Sequence, residues 1–229
     1  KINCCGRKGK ILENIMKPKF ICIEGPIGVG KTSLAQKIAD VRDGEVIKEM
    51  PEVNPFLKNF YENKKNSALP AQLFFLFQRA QQVESIIEPD MFSKFKISDF
   101  MFQKDRIFAE HTLTADELAL YDKVSHSLAV NPPKPDLMIY LQAPPNVLLA
   151  RIANRGINFE QKISLDYLDR LCKLYANFFY NYNDSPLLIV NAASIDPISR
   201  EKHFEALLQE IDQVEYGRHF FNPTIESIA

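Results

Sequence analysis

The sequence of 229 residues predicts a three-layer α/β/α domain built on a parallel sheet of five strands. Short apolar runs rich in isoleucine, leucine and valine alternate along the chain with longer segments of helical periodicity. The first apolar run leads directly into a glycine-rich loop and a helix. Strands that alternate with helices pair in parallel, and helices cover both faces of the resulting sheet.

The glycine-rich loop is the most specific signal in the chain. Gly25-Pro26-Ile27-Gly28-Val29-Gly30-Lys31-Thr32, with Ser33 after it, matches G-x-x-x-x-G-K-[ST] at every fixed position. An apolar strand at residues 20–23 precedes it and a helical pattern follows, as a phosphate-binding loop requires. Backbone N–H groups of the loop and the helix start would surround phosphate oxygens. Lys31 is expected to reach the β- and γ-phosphates, and Thr32 to bind Mg²⁺.

The remaining elements follow in chain order. Further strands are predicted at residues 45–48, 94–99, 136–141 and 187–190, and helices at 70–88, 114–130, 146–153, 164–182 and 198–214, with a short helix or turn at 55–63. Pro70 opens the 70–88 helix and Pro89 ends it. This helix is apolar nearly all round, which predicts core packing, a substrate-pocket wall or a dimer face.

The periodic segments define one domain over residues 19–214. Residues 1–18 are expected to be a flexible leader or linker, and residues 215–229 a tail, because neither segment has clear periodicity.

The composition of the chain excludes several classes of function. The net charge is −1 without a long basic run, so the usual electrostatic signature of a nucleic-acid binder is missing. No apolar run reaches the length of a membrane span. Cys4 and Cys5 have no partner at zinc spacing, while Cys22 and Cys172 fall in a predicted strand and helix. This use of cysteine predicts a reducing compartment, hence the cytoplasm.

Other features separate the classes that share this loop. A GTP-binding switch protein would carry an N-K-x-D motif, and the sequence has none. An acidic strand end and an arginine-bearing hinge between two late helices indicate a small kinase instead.

Seven stretches narrow the class further. In order they are IEGPIGVGKTSL, EMPEVNPFLKNFYEN, ALPAQLFFLFQRAQQ, ISDFMFQKDRIFA, PDLMIYLQAP, RIANRGINFEQKISLDYLDRL and PLLIVN. Over residues 19–214 the chain resembles the deoxyribonucleoside kinase family, and within it a bacterial branch sometimes fused to a pterin pyrophosphokinase domain. The resemblance implies transfer of the ATP γ-phosphoryl group to the 5′-hydroxyl of a deoxynucleoside. It also implies Mg²⁺, strand order 2-3-1-4-5, and a homodimer paired through the 70–88 helix.

The resemblance assigns a role to several residues. Glu49 ends the second strand, where a carboxylate would be the general base for the 5′-hydroxyl. Arg151 and Arg155 match lid arginines that bind ATP and, with Lys31, would stabilise charge on the phosphoryl group. The loop that cradles adenine would fall near residues 191–196. The residues implied to bind the acceptor are Glu49, Tyr61, Gln72, Arg79, Asp99, Asp105 and Glu160, with Tyr61 and Glu160 at the 3′-hydroxyl and Gln72 and Arg79 at the base.

The chain departs from the family after its third strand. Most members have E-R-S or D-R-S there, whereas this chain has Ser98-Asp99-Phe100. Asp99 can supply an acid for Mg²⁺ beside Thr32, but no arginine follows it. Either Phe100 stands at the arginine position or the alignment slips by one residue. The replacement cation is left open between Lys104, Arg106 and Arg79.

Two further departures concern the base-discriminating acid, which leaves the preferred base undetermined, and the lid. The acid that discriminates between bases falls at Lys104 or Asp105. Ile157 stands where a further lid arginine is common, with Lys162 as the candidate substitute.

Two alternative functions fit the same fold. A nucleoside monophosphate kinase of thymidylate-kinase type would need a further basic cluster for the phosphate of its acceptor, from Arg79 and Lys104. A non-catalytic nucleotide-binding module would explain the missing arginine, but the intact phosphate loop and Glu49 argue against it.

Overall fold

The computed structural model describes residues 18–62, 66–87 and 95–223. Its strands are β1 Phe20–Glu24, β2 Glu45–Ile47, β3 Lys96–Ser98, β4 Leu137–Gln142, β5 Leu187–Asn191 and β6 Arg218–Phe221. Its α-helices are α1 Lys31–Arg42, α2 Leu57–Tyr61, α3 Ala68–Ile87, α4 Lys104–Thr112, α5 Ala115–Leu128, α6 Pro145–Arg155, α7 Leu165–Tyr180 and α8 Glu201–Gln213. Short 3₁₀ helices occur at Pro51–Val53 and Glu160–Lys162. Within these ranges no helix has the length and apolar character needed to cross a membrane.

The strands form one sheet in the order β2-β3-β1-β4-β5-β6, and every neighbouring pair is parallel. The predicted fold class and the order 2-3-1-4-5 are confirmed, but the predicted count of five strands is wrong. The sixth strand, β6, lies within residues 215–229, which were expected to be a tail. Its side chains alternate between exposed and half-buried, and Phe220 is 69% exposed, so no buried apolar run marks the strand.

Helices cover both faces of the sheet, as the α/β/α prediction requires. Ile21 and Ile23 of β1 pack in a cluster with Leu34 of α1 and Leu207 of α8. Cys22, between them, belongs to the cluster on the opposite face with Tyr175 and Phe179 of α7. This division follows from the alternation of side chains along a strand. A third cluster joins α3, α4 and α5.

Helix α4 was not predicted. Its buried residues are Lys104, Asp105, Ile107 and Ala109. Charged side chains therefore occupy part of the buried face, which is apolar in an ordinary amphipathic helix. Helix α3 was predicted, but it begins at Ala68, and Pro70 lies in its first turn, where a missing N–H is tolerated. The expected leader at residues 1–17 and the stop at Pro89 lie outside the described residues.

The carboxylate of Glu24 connects three parts of the fold at the end of β1. It is fully buried and accepts hydrogen bonds from the backbone N–H of Gly25 at 2.8 Å and of Met101 at 3.0 Å. The Tyr175 hydroxyl of α7 donates a third bond at 3.0 Å. A buried carboxylate is tolerated when donors surround it in this way. Glu24 therefore holds the start of the glycine loop against the segment after β3 and against α7.

We expect Tyr175→Phe to lower the free energy of unfolding by about 2 kcal/mol, because it removes a hydrogen bond to a buried carboxylate without leaving a large cavity. Tyr180→Phe, on the same helix but with Tyr180 74% exposed, is the matched control and should change stability by less than about 0.5 kcal/mol. Urea titration followed by circular dichroism measures both. Equal stability of the two variants would contradict the anchoring role of Glu24.

Candidate active site

The glycine loop joins β1 to α1 in a conformation that depends on glycine. Gly25 and Gly28 have φ of 155° and 82°, and a Cβ on Gly25 would lie 2.5 Å from the Leu141 carbonyl oxygen. Helix α1 begins after Gly30 without a side-chain cap or an acidic residue in its first turn. The N–H groups and positive dipole end of α1 are therefore left for an anion. Lys31 Nζ lies over the loop and donates to the carbonyl oxygens of Gly25 at 2.7 Å and Pro26 at 3.3 Å.

Asp99, immediately after β3, joins two predicted site residues. Its Oδ2 accepts a hydrogen bond from the Thr32 hydroxyl, and its Oδ1 accepts one from the Glu49 backbone N–H at 2.6 Å. Burial raises the pKa of Asp99, although these two hydrogen bonds act in the opposite direction. The hydroxyl of Thr32 and the carboxylate of Asp99 are hard oxygen ligands that meet at one point, as expected for Mg²⁺. Within the described residues no cluster of three metal-ligating side chains forms an all-protein cage.

The carboxylate of Glu49 is held by two cations. Arg79 Nη2 donates to its Oε1, and Lys104 Nζ donates to its Oε2 at 2.7 Å. Burial alone would raise the pKa of Glu49, but the charges of Lys104, Arg79 and Lys31 hold it well below its usual range. Glu49 is therefore an ionised carboxylate with a fixed orientation at neutral pH.

Arg79 connects Glu49 to α4. Its Nη1 forms an ion pair with Asp105, and both side chains are about 3% exposed. Of the three candidates for the missing arginine, Arg79 and Lys104 lie in this cluster. Arg106 does not, because it is 45% exposed and pairs with Glu110 at 3.1 Å and Asp122 at 3.2 Å.

The residues expected to bind the acceptor surround the same point. Gln72 Nε2 donates to the Thr112 hydroxyl at 3.2 Å, and Tyr61 stacks on Phe159 with ring centroids 6.1 Å apart. Glu160 accepts a hydrogen bond from Arg155. One cavity is lined by the predicted residues Ile27, Gly28, Lys31, Thr32, Glu49, Tyr61, Gln72, Arg79, Asp99, Arg155 and Glu160. Asp105 does not line it and contacts Arg79 instead.

The volume of this cavity is about 100 Å³, below the roughly 300 Å³ that encloses a small-molecule ligand. This cavity, here called the closed cavity because the paired side chains of Arg155 and Glu160 both line it, is therefore smaller than a site that encloses such a ligand.

Arg151 and Arg155 lie on different cavities although they are four residues apart on α6. Arg151 donates to the carbonyl oxygens of Ala192 at 2.8 Å and Val29 at 3.3 Å. It lines a cavity of about 450 Å³ between Gly30 and residues 192–198. This second cavity adjoins the glycine loop, and its floor includes most of the predicted adenine loop at 191–196.

The sequence alone did not place two residues of the site, Glu24 and Lys104. Glu24 directly precedes the glycine loop, and an acid at the end of a buried strand is itself unusual. Lys104 was one of three candidates for a cation, but its place next to Glu49 depends on α4, which was not predicted.

Comparison with known proteins identifies deoxynucleoside kinases as relatives of this chain. A model of the deoxynucleoside kinase family matches residues 21–215. The deoxyguanosine kinase of Bacillus subtilis is 36% identical over 202 residues, which is 85% of this chain and 97% of that protein. The deoxyadenosine kinase of Lactobacillus acidophilus is 30% identical, covering 85% of this chain and 95% of that protein.

Solved structures share the fold. The deoxyadenosine kinase of M. mycoides, with dCMP and dCDP bound, has a TM-score of 0.75 at 24% identity, covering 85% of this chain and 100% of that one. The same kinase with bound dATP has a TM-score of 0.74 at 23% identity, with the same coverage. The family match spans the sheet from β1 to β5, the glycine loop and both cavities, and the chain belongs to the deoxynucleoside kinase family.

Proposed function

We propose that this kinase transfers the γ-phosphoryl group of ATP to the 5′-hydroxyl of a purine deoxynucleoside, with Glu49 as the general base. The observation that carries the proposal is the place of Glu49, whose carboxylate lines the same cavity as Lys31, Thr32 and Asp99. In the reaction the 5′-oxygen bonds to the γ-phosphorus, the bond from that phosphorus to the bridging oxygen breaks, and Glu49 accepts the hydroxyl proton.

The low pKa of Glu49 suits this reaction. Phosphoryl transfer passes through a loose transition state, in which the attacking hydroxyl needs orientation more than early deprotonation. A carboxylate that is ionised before the reaction can accept a hydrogen bond from the 5′-hydroxyl and then take its proton late in the transfer. Its two cations fix the plane in which that bond forms.

ATP would occupy both cavities. Its phosphates would lie on the glycine loop, where Lys31 and the start of α1 supply positive charge. Its adenine would enter the 450 Å³ cavity beside residues 192–198, next to Arg151. Arg155, on the other cavity, would move from Glu160 towards the phosphates as the lid of the site.

Thr32 and Asp99 would hold Mg²⁺, because their side-chain oxygens already meet. When bound, Mg²⁺ neutralises charge on the phosphates, and it is usually held by one or two carboxylates together with those phosphates.

The acceptor would lie across the closed cavity. Tyr61 and Glu160 would bind the 3′-hydroxyl, and Gln72 and Arg79, the latter oriented by Asp105, would contact the base. The preference for purines rests on the relatives at 36% and 30% identity, which are named for deoxyguanosine and deoxyadenosine. A monophosphate acceptor would need a basic cluster for its phosphate, and it is disfavoured because Arg79, one of the two cations that could form that cluster, is already paired with both Glu49 and Asp105.

We also infer a homodimer that acts in the cytoplasm. Phe77 and Ile87 leave 48% and 56% of their surface exposed on α3, the helix expected to pair two subunits. The two cysteines within the described residues, Cys22 and Cys172, are both free thiols. Sedimentation of the wild type and of Phe77→Glu tests the dimer, and a monomeric wild type would contradict it.

One assay tests both the acceptor and the general base. With Mg²⁺ and ATP, we expect phosphorylation of deoxyguanosine or deoxyadenosine, and a loss of about 10² or more in kcat for Glu49→Gln. Glu52→Gln removes an exposed carboxylate three residues away and should be as active as the wild type. A coupled assay of ADP release over the four deoxynucleosides and their monophosphates measures this. Turnover of monophosphates alone would favour the thymidylate-kinase alternative, and silence with every acceptor the non-catalytic one.

The role of Asp99 in holding the metal can be tested separately. Asp99→Asn should raise the Mg²⁺ concentration for half-maximal rate by about tenfold or more, because it removes the only charged ligand that the protein is proposed to supply. Asp40→Asn, exposed on α1, should leave that concentration unchanged. Rates measured against free Mg²⁺ at saturating ATP separate the two. A lower kcat with an unchanged Mg²⁺ dependence would restrict Asp99 to holding Thr32 and Glu49 in place.

A further inference from the structure

Lys104 is a buried cation whose hydrogen-bonding capacity is only partly used. It is the first residue of α4 and is 4% exposed. Its ammonium has three N–H donors, and within the described residues its one hydrogen bond is to Glu49 Oε2. A buried ammonium is costly unless acceptors surround it. The remaining donors therefore require an acceptor that the described side chains do not supply.

Glu24 does not account for these donors. Lys104 Nζ is 3.8 Å from Glu24 Oε1, which is too long for a hydrogen bond. Glu24 is moreover satisfied by three closer donors, from Gly25, Met101 and Tyr175. Lys104 itself lines the closed cavity, together with Lys31 and Thr32, so its ammonium is accessible to a molecule bound there.

Lys31 and Lys104 bring two positive charges to one place. Burial is the largest cause that lowers the pKa of Lys31, to about 8, and the positive charge of Lys104 is the second largest. Like charges in a buried site repel, and an anion between them removes that repulsion. Lys31 belongs to the phosphate loop, so the anion expected between these groups is the phosphate chain.

Phe100, which follows Asp99, cannot supply a positive charge for the phosphates. Phe100, where the family resemblance leads to an arginine, is 2% exposed, and its ring lies 5.9 Å from the Arg79 guanidinium carbon. Arg79 is committed to Glu49 and Asp105. Lys104 is therefore the cation in this part of the cluster that retains donors for a ligand.

We propose that Lys104 is a catalytic residue whose ammonium bridges the Glu49 carboxylate and an oxygen of the transferring phosphoryl group. It replaces, from α4, the arginine that the loop after β3 lacks. This inference rests on the proposed kinase function. It deepens that function by naming a second cation, besides Lys31, that stabilises the charge on the phosphoryl group as its bond to ADP breaks.

Lys104→Met tests the contact, since methionine keeps the length of the side chain without its charge. We expect a loss of about 10² or more in kcat, as for removal of one preorganised donor, with the Kd for the deoxynucleoside within about threefold of wild type. Lys104→Arg should recover at least about tenfold of that loss. Arg106→Met is the matched control on the same helix, because Arg106 pairs away from the cavity, and it should keep the wild-type rate.

A double variant separates the phosphoryl contact from a role confined to Glu49. Glu49→Gln/Lys104→Met removes both charges, which lowers the chance that an unpaired buried charge prevents folding. If Lys104 contacts the phosphoryl group, the double variant should be at least about tenfold slower than Glu49→Gln alone. Equal rates for these two would overturn the proposal, and so would a Lys104→Met rate within threefold of wild type. A parallel loss of kcat and nucleoside affinity in Lys104→Met would also overturn it, since that result assigns Lys104 to the shape of the pocket.

The same experiment distinguishes failure of this inference from failure of the proposed function. A wild type that phosphorylates no acceptor contradicts the kinase proposal, and the inference with it. A wild type that is active beside an equally active Lys104→Met leaves the kinase proposal standing and removes only the role of Lys104.

Discussion

The site depends on one constraint, which is that charges buried at the carboxyl ends of β1, β2 and β3 must pair with one another. Most of these charged side chains are nearly inaccessible to water. The acids are Glu24, Glu49, Asp99 and Asp105, and the cations that face them are Lys31, Arg79 and Lys104. An unpaired ion in such a place costs several kcal/mol. Each side chain is therefore fixed by its neighbours, and the orientation of Glu49 follows from Arg79 and Lys104 as much as from its own strand.

The strand order brings these groups together. In the sheet β1 lies next to β3 and β3 next to β2, with Ser98 in register with both Cys22 and Ile47. The glycine loop follows β1, Glu49 follows β2, and Asp99 follows β3, so groups far apart in sequence emerge at one edge. In open α/β sheets ligands bind at this edge. The third acid, Glu24, joins the edge to α7 through Tyr175 and to the start of the glycine loop through the Gly25 N–H.

The parts of this arrangement that the sequence predicts are those set by local pattern. β1, the glycine loop and α1 are marked by an apolar run, fixed glycines and a helical period. Glu49 and Asp99 could be located because each lies at a predicted strand end, and their roles came mainly from the family resemblance. Helix α4 and Lys104 could not be placed, since the buried face of α4 carries charges whose partners lie on other elements. β6 was missed because an edge strand with half-exposed side chains has no apolar run. The spacing of Arg151 and Arg155 could not predict that they line different cavities, because Arg151 is held by the carbonyl oxygen of Ala192, which follows β5.

A site that satisfies its own charges before substrate arrives has a chemical consequence. Lys31 donates to the loop carbonyls and Arg155 donates to Glu160, so a substrate group that binds either side chain must replace an internal hydrogen bond. Lys104, by contrast, retains donors for a ligand. Part of the binding energy is thereby used to open the cluster, which lowers affinity but not the rate of the chemical step. The closed cavity is small, at about 100 Å³, although the larger cavity beside Arg151 also adjoins the glycine loop. A kinase must transfer its phosphoryl group to a hydroxyl rather than to water, and a small cavity lined by paired charges on the side of the acceptor favours that outcome.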